Sequence, residues 1–135
     1  MAEPRAFVTD THPLLLHAAG GRALGRRAAA SFAACEAREA IVYVPMVVLW
    51  ETSLLVRAGR VRLGRPLRAF ADDLFSNPAY QPYGLDLEQV CLADEARPNA
   101  DPFDALVCAA TRALGLPLIT RDREIAAWAS VRTVW

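Results

Sequence analysis

The chain contains no lysine; all fifteen of its basic residues are arginine. That absence excludes Schiff-base chemistry and the phosphate-gripping lysine of a nucleotide-binding loop. Glycine is sparse, and no glycine-rich phosphate loop is present. The two histidines, His12 and His17, stand at no metal-ligand spacing from each other or from a cysteine. Cys35, Cys91 and Cys108 are odd in number and contain no Cys-x-x-Cys pair. They read as reduced thiols of a cytoplasmic protein, with Cys108 in the core. No Ser/His/Asp or Cys/His triad is evident. The longest apolar run, 41–50, is broken by Pro45. It falls well short of the ~20 residues that span a bilayer. The sequence opens on no signal-peptide pattern, and no membrane partner is expected.

What is present is a chain of 135 residues, 54% hydrophobic. That suits one domain, residues 1–135, with a real core. The formal net charge is zero, but the charge is polarised. Residues 1–71 carry ten Arg against five acids, and residues 72–135 carry five Arg against ten acids.

Strand-like and helix-like segments alternate along the chain. The apolar stretches 6–9, 41–44, 80–84, 116–120 and 131–135 read as strands. The 80–84 segment contains Pro82 and is placed at a sheet edge. Helical patterns follow Thr11 or His12 and cover 22–38, 45–57, 66–76, 86–96, 101–114 and 122–129. This order predicts an α/β fold around a mostly parallel, roughly five-stranded sheet.

Five carboxylates stand at the ends of apolar runs. Asp10 follows Ala6-Phe7-Val8-Thr9, and Glu51 follows Val47-Val48-Leu49-Trp50. Asp101 and Asp104 open a helical pattern, and Asp122 follows Leu118-Ile119-Thr120-Arg121. The C-terminal ends of parallel strands share one edge, where α/β folds bind ligands. If 6–9, 41–44 and 116–120 are neighbours, these acids meet there. Such a pocket is costly unless a hard divalent cation neutralises it. The composition of the site therefore points to a Mg²⁺- or Mn²⁺-dependent enzyme acting on phosphate esters.

Each acid also has a plainer explanation. Asp10, Asp101 and Asp122 can cap helices, and Asp104 can sit favourably in a first turn. Glu51 can pair with Arg57. His12 reads as a surface group or one behind the site. Thr120 either orients a water or phosphate, or simply ends its strand. Trp50 and Phe70 are candidates for core or dimer contacts. Arg57, Arg60, Arg62, Arg65 and Arg68 place five positive charges in twelve residues with no acid. They form either a solvated face or a rim that tracks phosphates. A phosphoacceptor receiver domain needs a lysine and is excluded. An Asp-x-Asp phosphatase loop fails because Thr11-His12 follows Asp10.

Four blocks in order carry a family resemblance. They are Phe7-Val8-Thr9-Asp10-Thr11-His12-Pro13-Leu14-Leu15, then Leu49-Trp50-Glu51 with Arg57, Gly59, Arg60 and Val61, then Asp101-Pro102-Phe103-Asp104-Ala105-Leu106-Val107-Cys108-Ala109-Ala110, and Leu118-Ile119-Thr120-Arg121-Asp122. Together they resemble the PIN domain, and the length resembles the VapC-type toxins of bacterial toxin–antitoxin pairs. Two departures are visible: Ala105 stands where many relatives have Arg, and Arg57 where Lys is frequent.

The resemblance implies a three-layer α/β/α fold and a metal-dependent ribonuclease that leaves a 5′-phosphate and a 3′-hydroxyl. Asp10, Glu51, Asp104 and Asp122 would be its catalytic acids. Asp10 and Asp104 would ligate Mg²⁺ or Mn²⁺ directly. Asp122 would hold the metal or one of its waters, and Glu51 would position or deprotonate the attacking water. Asp101 is either a further ligand or only a helix cap. Thr120, Arg57 and Arg60 are candidate substrate contacts. The expected substrate is RNA in single-stranded or looped regions, whose backbone a small site can reach. The expected partners are a cognate antitoxin and a second copy of the chain. The competing reading is a PIN fold without catalysis, serving as an RNA- or protein-binding module.

Overall fold

The computed structural model describes residues 5–135. Residues 1–4 of the expected domain lie outside the described residues. Strand β1 (Ala6–Thr9) leads into α1 (Thr11–Ala18) and α2 (Arg26–Glu36), then β2 (Ile41–Pro45). Helices α3 (Met46–Arg57) and α4 (Leu67–Ser76) precede β3 (Tyr80–Tyr83), and α5 (Leu87–Glu95) and α6 (Pro102–Leu114) precede β4 (Leu118–Ile119). The short α7 (Arg123–Ala127) and β5 (Thr133–Val134) complete the order.

The five strands form one sheet in the order β3-β2-β1-β4-β5, and every neighbouring pair is parallel. Parallel strands need crossovers, and the helices supply them, giving the expected three-layer α/β/α architecture. Val8, Val42, Val44, Leu118 and Ile119 are fully buried. That explains why these strands read as continuous apolar runs rather than alternating ones. Phe32 and Cys35 of α2, Leu14 of α1, Val48 of α3 and Val107 and Cys108 of α6 fill the core around the sheet.

Register decides what reaches the C-terminal edge. Val8 lies opposite Tyr43 of β2 and Leu118 of β4, and Thr9 lies opposite Ile119. The Asp10 backbone N–H donates to the Ile119 carbonyl at 3.1 Å. Asp10 and Thr120 thus leave adjacent strands side by side. The chain runs from β1 outward to β2 on one side, and β4 lies on the other. The strand order therefore reverses between β1 and β4, and a crevice opens at that point.

Element ends depart from the sequence reading in several places. The helix expected from Arg22 starts only at Arg26. The Arg27 and Ala28 N–H groups donate to the Trp135 carbonyl at 2.9 and 3.1 Å. A tertiary partner, invisible to local pattern, thus fixes the start. Asp10 caps α1, as its plainer reading held, and Thr11 and His12 lie inside the helix. Pro45 ends β2 and caps α3 rather than opening the helix. Strands β4 and β5 are two residues each, shorter than their apolar runs. Trp50 is 58% exposed and is no core residue, whereas Phe70 is buried. Among the described residues no helix is long and apolar enough to cross a membrane.

Candidate functional site

A cavity of about 460 Å³ opens at the reversal of strand order, and Asp10, Glu51, Asp101, Asp104 and Asp122 all line it. Each comes from a different local cause. Asp10 stands one residue past β1 as the cap of α1; its Oδ1 accepts from the Thr11 N–H at 2.8 Å. Glu51 lies on α3, which starts directly from β2 and so leans over the same edge. Asp101 caps α6, accepting from the Phe103 and Asp104 N–H groups at 2.8 and 3.1 Å, with Pro102 in the first helical position. Asp104 follows in the first turn. Asp122 caps α7 through the Ile125 N–H at 3.0 Å. Four of the five acids thus serve local helix geometry as well as the cavity. The plain readings and the functional one coexist.

Two threonines hold these groups in place. The Thr120 hydroxyl donates to Asp10 Oδ2 at 2.8 Å and accepts from the Asp122 N–H at 3.1 Å. It ties the exits of β1 and β4 together. The Thr11 hydroxyl donates to Glu51 Oε1. Thr11 is fully buried, so this bond fixes the carboxylate of a side chain that would otherwise swing. Asn99 adds a third support, donating from Nδ2 to Asp104 Oδ2 at 2.9 Å. Its own Oδ1 accepts from the Asp101 N–H at 2.9 Å. Sequence reasoning passed over Thr11 and Asn99. Their only signal was position, one beside the first acid and one two residues before Asp101.

The electrostatics are unfavourable to ionisation. Burial raises the Asp10 carboxyl above its ordinary pKa, and the Thr120 and Thr11 hydrogen bonds offset that only in part. Burial also raises Glu51, opposed by the Thr11 bond and reinforced by the charges of Asp10 and Asp101. Asp104 is pushed up to about 6, first by burial, with Asn99 opposing and Asp10, Asp101 and Asp122 adding repulsion. Among the described residues none of the five acids makes an ion pair. Glu51 pairs with Thr11, not with Arg57. Arg57 and Arg60 are exposed and do not line the cavity; Arg121, Arg123 and His12 do.

All five donors are carboxylate oxygens, among the described residues none is in an ion pair, and this hard donor set fits Mg²⁺ or Mn²⁺. Among the described residues no three His, Cys, Asp or Glu side chains converge closely enough to hold an ion by themselves. An ion here would rest on one or two carboxylates and its own waters, the usual manner of Mg²⁺.

Several solved structures share this fold. VapBC2 from Rickettsia felis, bound to a DNA fragment from its promoter, aligns with a TM-score of 0.69 at 12% identity, over 95% of this chain and 96% of that one. DNA-bound VapBC from Salmonella typhimurium aligns at 0.65 and 15%, over 95% and 96%. A toxin–antitoxin complex from Klebsiella pneumoniae aligns at 0.61 and 16%, over 92% and 93%. At these identities the likeness is one of fold. No curated protein sequence matches the chain. The PIN domain family matches residues 7–130, nearly the full length. The cavity of acids at the strand-order reversal therefore stands on a known framework, and the chain belongs to the PIN-domain family.

Proposed function

We propose that this protein is a Mg²⁺- or Mn²⁺-dependent endoribonuclease and the toxin of a toxin–antitoxin pair. One observation carries the reading: five carboxylates from four distant segments share one cavity, and among the described residues no cationic side chain pairs with any of them. Holding them together costs stability, and a divalent cation returns it.

Asp10 and Asp104 would hold the ion, with Asp122 holding it or one of its waters and Asp101 at the margin. A bound divalent ion supplies positive charge that acidifies a water and stabilises phosphate oxygens. Glu51, oriented by Thr11, positions the attacking water and takes its proton. Thr120 acts behind Asp10 and Asp122. The water oxygen attacks phosphorus, the bond to the 3′-oxygen breaks, that oxygen takes up a proton from solvent, and a 5′-phosphate and 3′-hydroxyl result. Arg121 and Arg123, at the cavity wall, are better placed than Arg57 and Arg60 to meet the RNA backbone. RNA in the cytoplasm, a small antitoxin whose cationic tail covers the acids, and a homodimer complete the proposal.

A second reading is a PIN-fold module that binds RNA or protein without cleavage. It is favoured by the failure of any three donors among the described residues to converge on one point. One experiment separates the two. Purified protein is incubated with total RNA in Mg²⁺, in Mn²⁺ and in EDTA, beside the Asp10→Asn and Asp104→Asn variants. Discrete fragments that vanish with EDTA and with either variant support the nuclease. No cleavage by folded, metal-saturated protein supports the binding module.

A further inference from the structure

A second cavity, also of about 460 Å³, adjoins the acid pocket, and His12 and Arg121 line both. Its walls are apolar, from Leu16 of α1 and from Val61 and Leu63 of the loop after α3. Its charged lining is cationic: Arg62, Arg65 and Arg121, with no carboxylate among the described lining residues. The two cavities are thus neighbours of opposite charge.

The three arginines are not equivalent. Arg65 pairs with Asp73 at 3.2 Å and lies over the Phe70 ring, so its guanidinium is already engaged. Arg62 and Arg121 pair with no carboxylate among the described residues. Arg121 lies over the Trp135 ring, which leaves its N–H groups available to a phosphate.

Building on the nuclease reading above, we propose that this second cavity is a nucleotide subsite. It would take the base of a residue next to the scissile phosphate against Leu16, Val61 and Leu63, with the flanking phosphates on Arg62 and Arg121. An RNA strand entering the acid pocket is repelled by five carboxylates. It gains by leaving over an adjoining cavity whose charged lining is positive. An apolar slot bordered by cations has the chemistry of a base with its phosphate. An acidic, apolar peptide has related chemistry and is the rival occupant.

The test measures binding in the Asp10→Asn background with Mg²⁺ present, so that cleavage does not intervene. The probes are a fluorescent single-stranded uridine octamer and an abasic ribose-phosphate octamer of the same length. Arg62→Gln should flatten the plot of log affinity against log salt by about 0.7, one single-strand phosphate contact. The base-bearing octamer should bind at least about fivefold more tightly than the abasic one, the gain from covering one face of a base with apolar side chains. Ala18→Leu should remove that preference, because Ala18 is exposed and lines the same cavity, and the longer aliphatic side chain fills the slot. Thermal melts confirm that both variants fold. Wild-type slope and undiminished preference in both variants overturn the subsite and leave the cavity to a peptide, and so does a background protein that binds neither octamer. If the octamers behave as expected but protein with Asp10 intact cleaves no RNA, the nuclease reading fails and the subsite stands. If cleavage occurs and the variants bind unchanged, the subsite alone fails.

Discussion

Replacing Asp104 by Asn should make the metal-free protein more stable, not less. Asp104 is held at about 6 against an ordinary 3.8, chiefly by burial and then by neighbouring acids, with Asn99 opposing. A carboxyl whose folded pKa is raised binds its proton more tightly in the fold than in the unfolded chain. Below 3.8 the group is protonated in both states and costs nothing. Between 3.8 and about 6 the unfolded chain ionises first, so stability falls as pH rises. Above about 6 the loss is complete. At about 1.36 kcal/mol per pH unit the gap corresponds to ~3 kcal/mol. Partial exposure screens it, and about 1–2 kcal/mol is the reasonable expectation. Asn removes the charge and keeps an oxygen for the Asn99 bond. For a domain of this size the gain is a rise in Tm of roughly 3–8 °C. The assay is thermal unfolding in EDTA at pH 8 and at pH 4, with Mg²⁺ added to a parallel series at pH 8. The variant should lead at pH 8, and its lead should vanish at pH 4. Mg²⁺ should raise the wild-type Tm and close the gap. A variant that melts at or below wild type at pH 8 would refute the reasoning, as would a lead of equal size at both pH values.

Three further outcomes follow from the geometry. Thr11→Val keeps the buried shape but frees Glu51, and a hydrogen bond to a charged group is worth about 1.5–3 kcal/mol; kcat for RNA cleavage should fall roughly ten- to hundredfold with KM little changed, and an unaltered kcat would remove Glu51 from the mechanism. Gly25→Ala would place a Cβ 2.6 Å from the Trp135 ring and 2.7 Å from its backbone, so the α2 start must shift off the Trp135 carbonyl; denaturant melts should show a loss of about 1–3 kcal/mol, and wild-type stability would contradict the close approach. Cys35 and Cys108 are buried, with thiols pushed up to about 11 and about 12, while Cys91 is exposed. A thiol reagent at pH 8 should therefore modify one cysteine per folded chain and the other two only on unfolding, whereas fast labelling of two or three would show an open core.

Most of the fold was legible because its signals are local. Strand β1, the edge strand with Pro82 and the helical patterns over 86–96 and 101–114 all came from short motifs, and each is present, with Asp86 capping α5 and Gly115 ending α6. Gly115 adopts φ +66°, the left-handed conformation that ends a helix. The acids were legible for a related reason. A carboxylate at the end of an apolar run is locally anomalous wherever the chain later carries it. What failed were features that depend on a distant partner. The start of α2 is set by Trp135, and the hold on Glu51 by Thr11, forty positions away. Arg57 and Arg60 share their segment with Arg62, yet Arg62 and Arg65 line the second cavity and Arg57 and Arg60 do not. Spacing along a loop carries no periodicity that would tell them apart. Arg121 escaped notice because it sits between two residues already assigned to the site.

The two functional readings part on energy. A surface built only to bind RNA gains by neutralising phosphates, and each ionised carboxylate works against it. Yet the folded chain keeps Asp10, Glu51 and Asp104 in surroundings that raise all three pKa values. Near neutral pH such surroundings lower stability, and neutralising any one acid would recover part of it. An RNA-binding role therefore leaves the acids unexplained unless a cation accompanies the strand. A protein-binding role explains them only if the partner brings positive charge into the cavity. Both a divalent ion and a cationic partner would stabilise the fold, so stabilisation alone cannot rank them. The arrangement behind the acids supports the nuclease reading. Thr11 fixes Glu51, Thr120 fixes Asp10 and the Asp122 backbone, and Asn99 fixes Asp104. A flexible cationic tail can adapt to carboxylates in many positions. Oriented carboxylates matter when a water and a phosphorus atom must be held in line, because misplacement by about 1 Å can cost a hundredfold in rate.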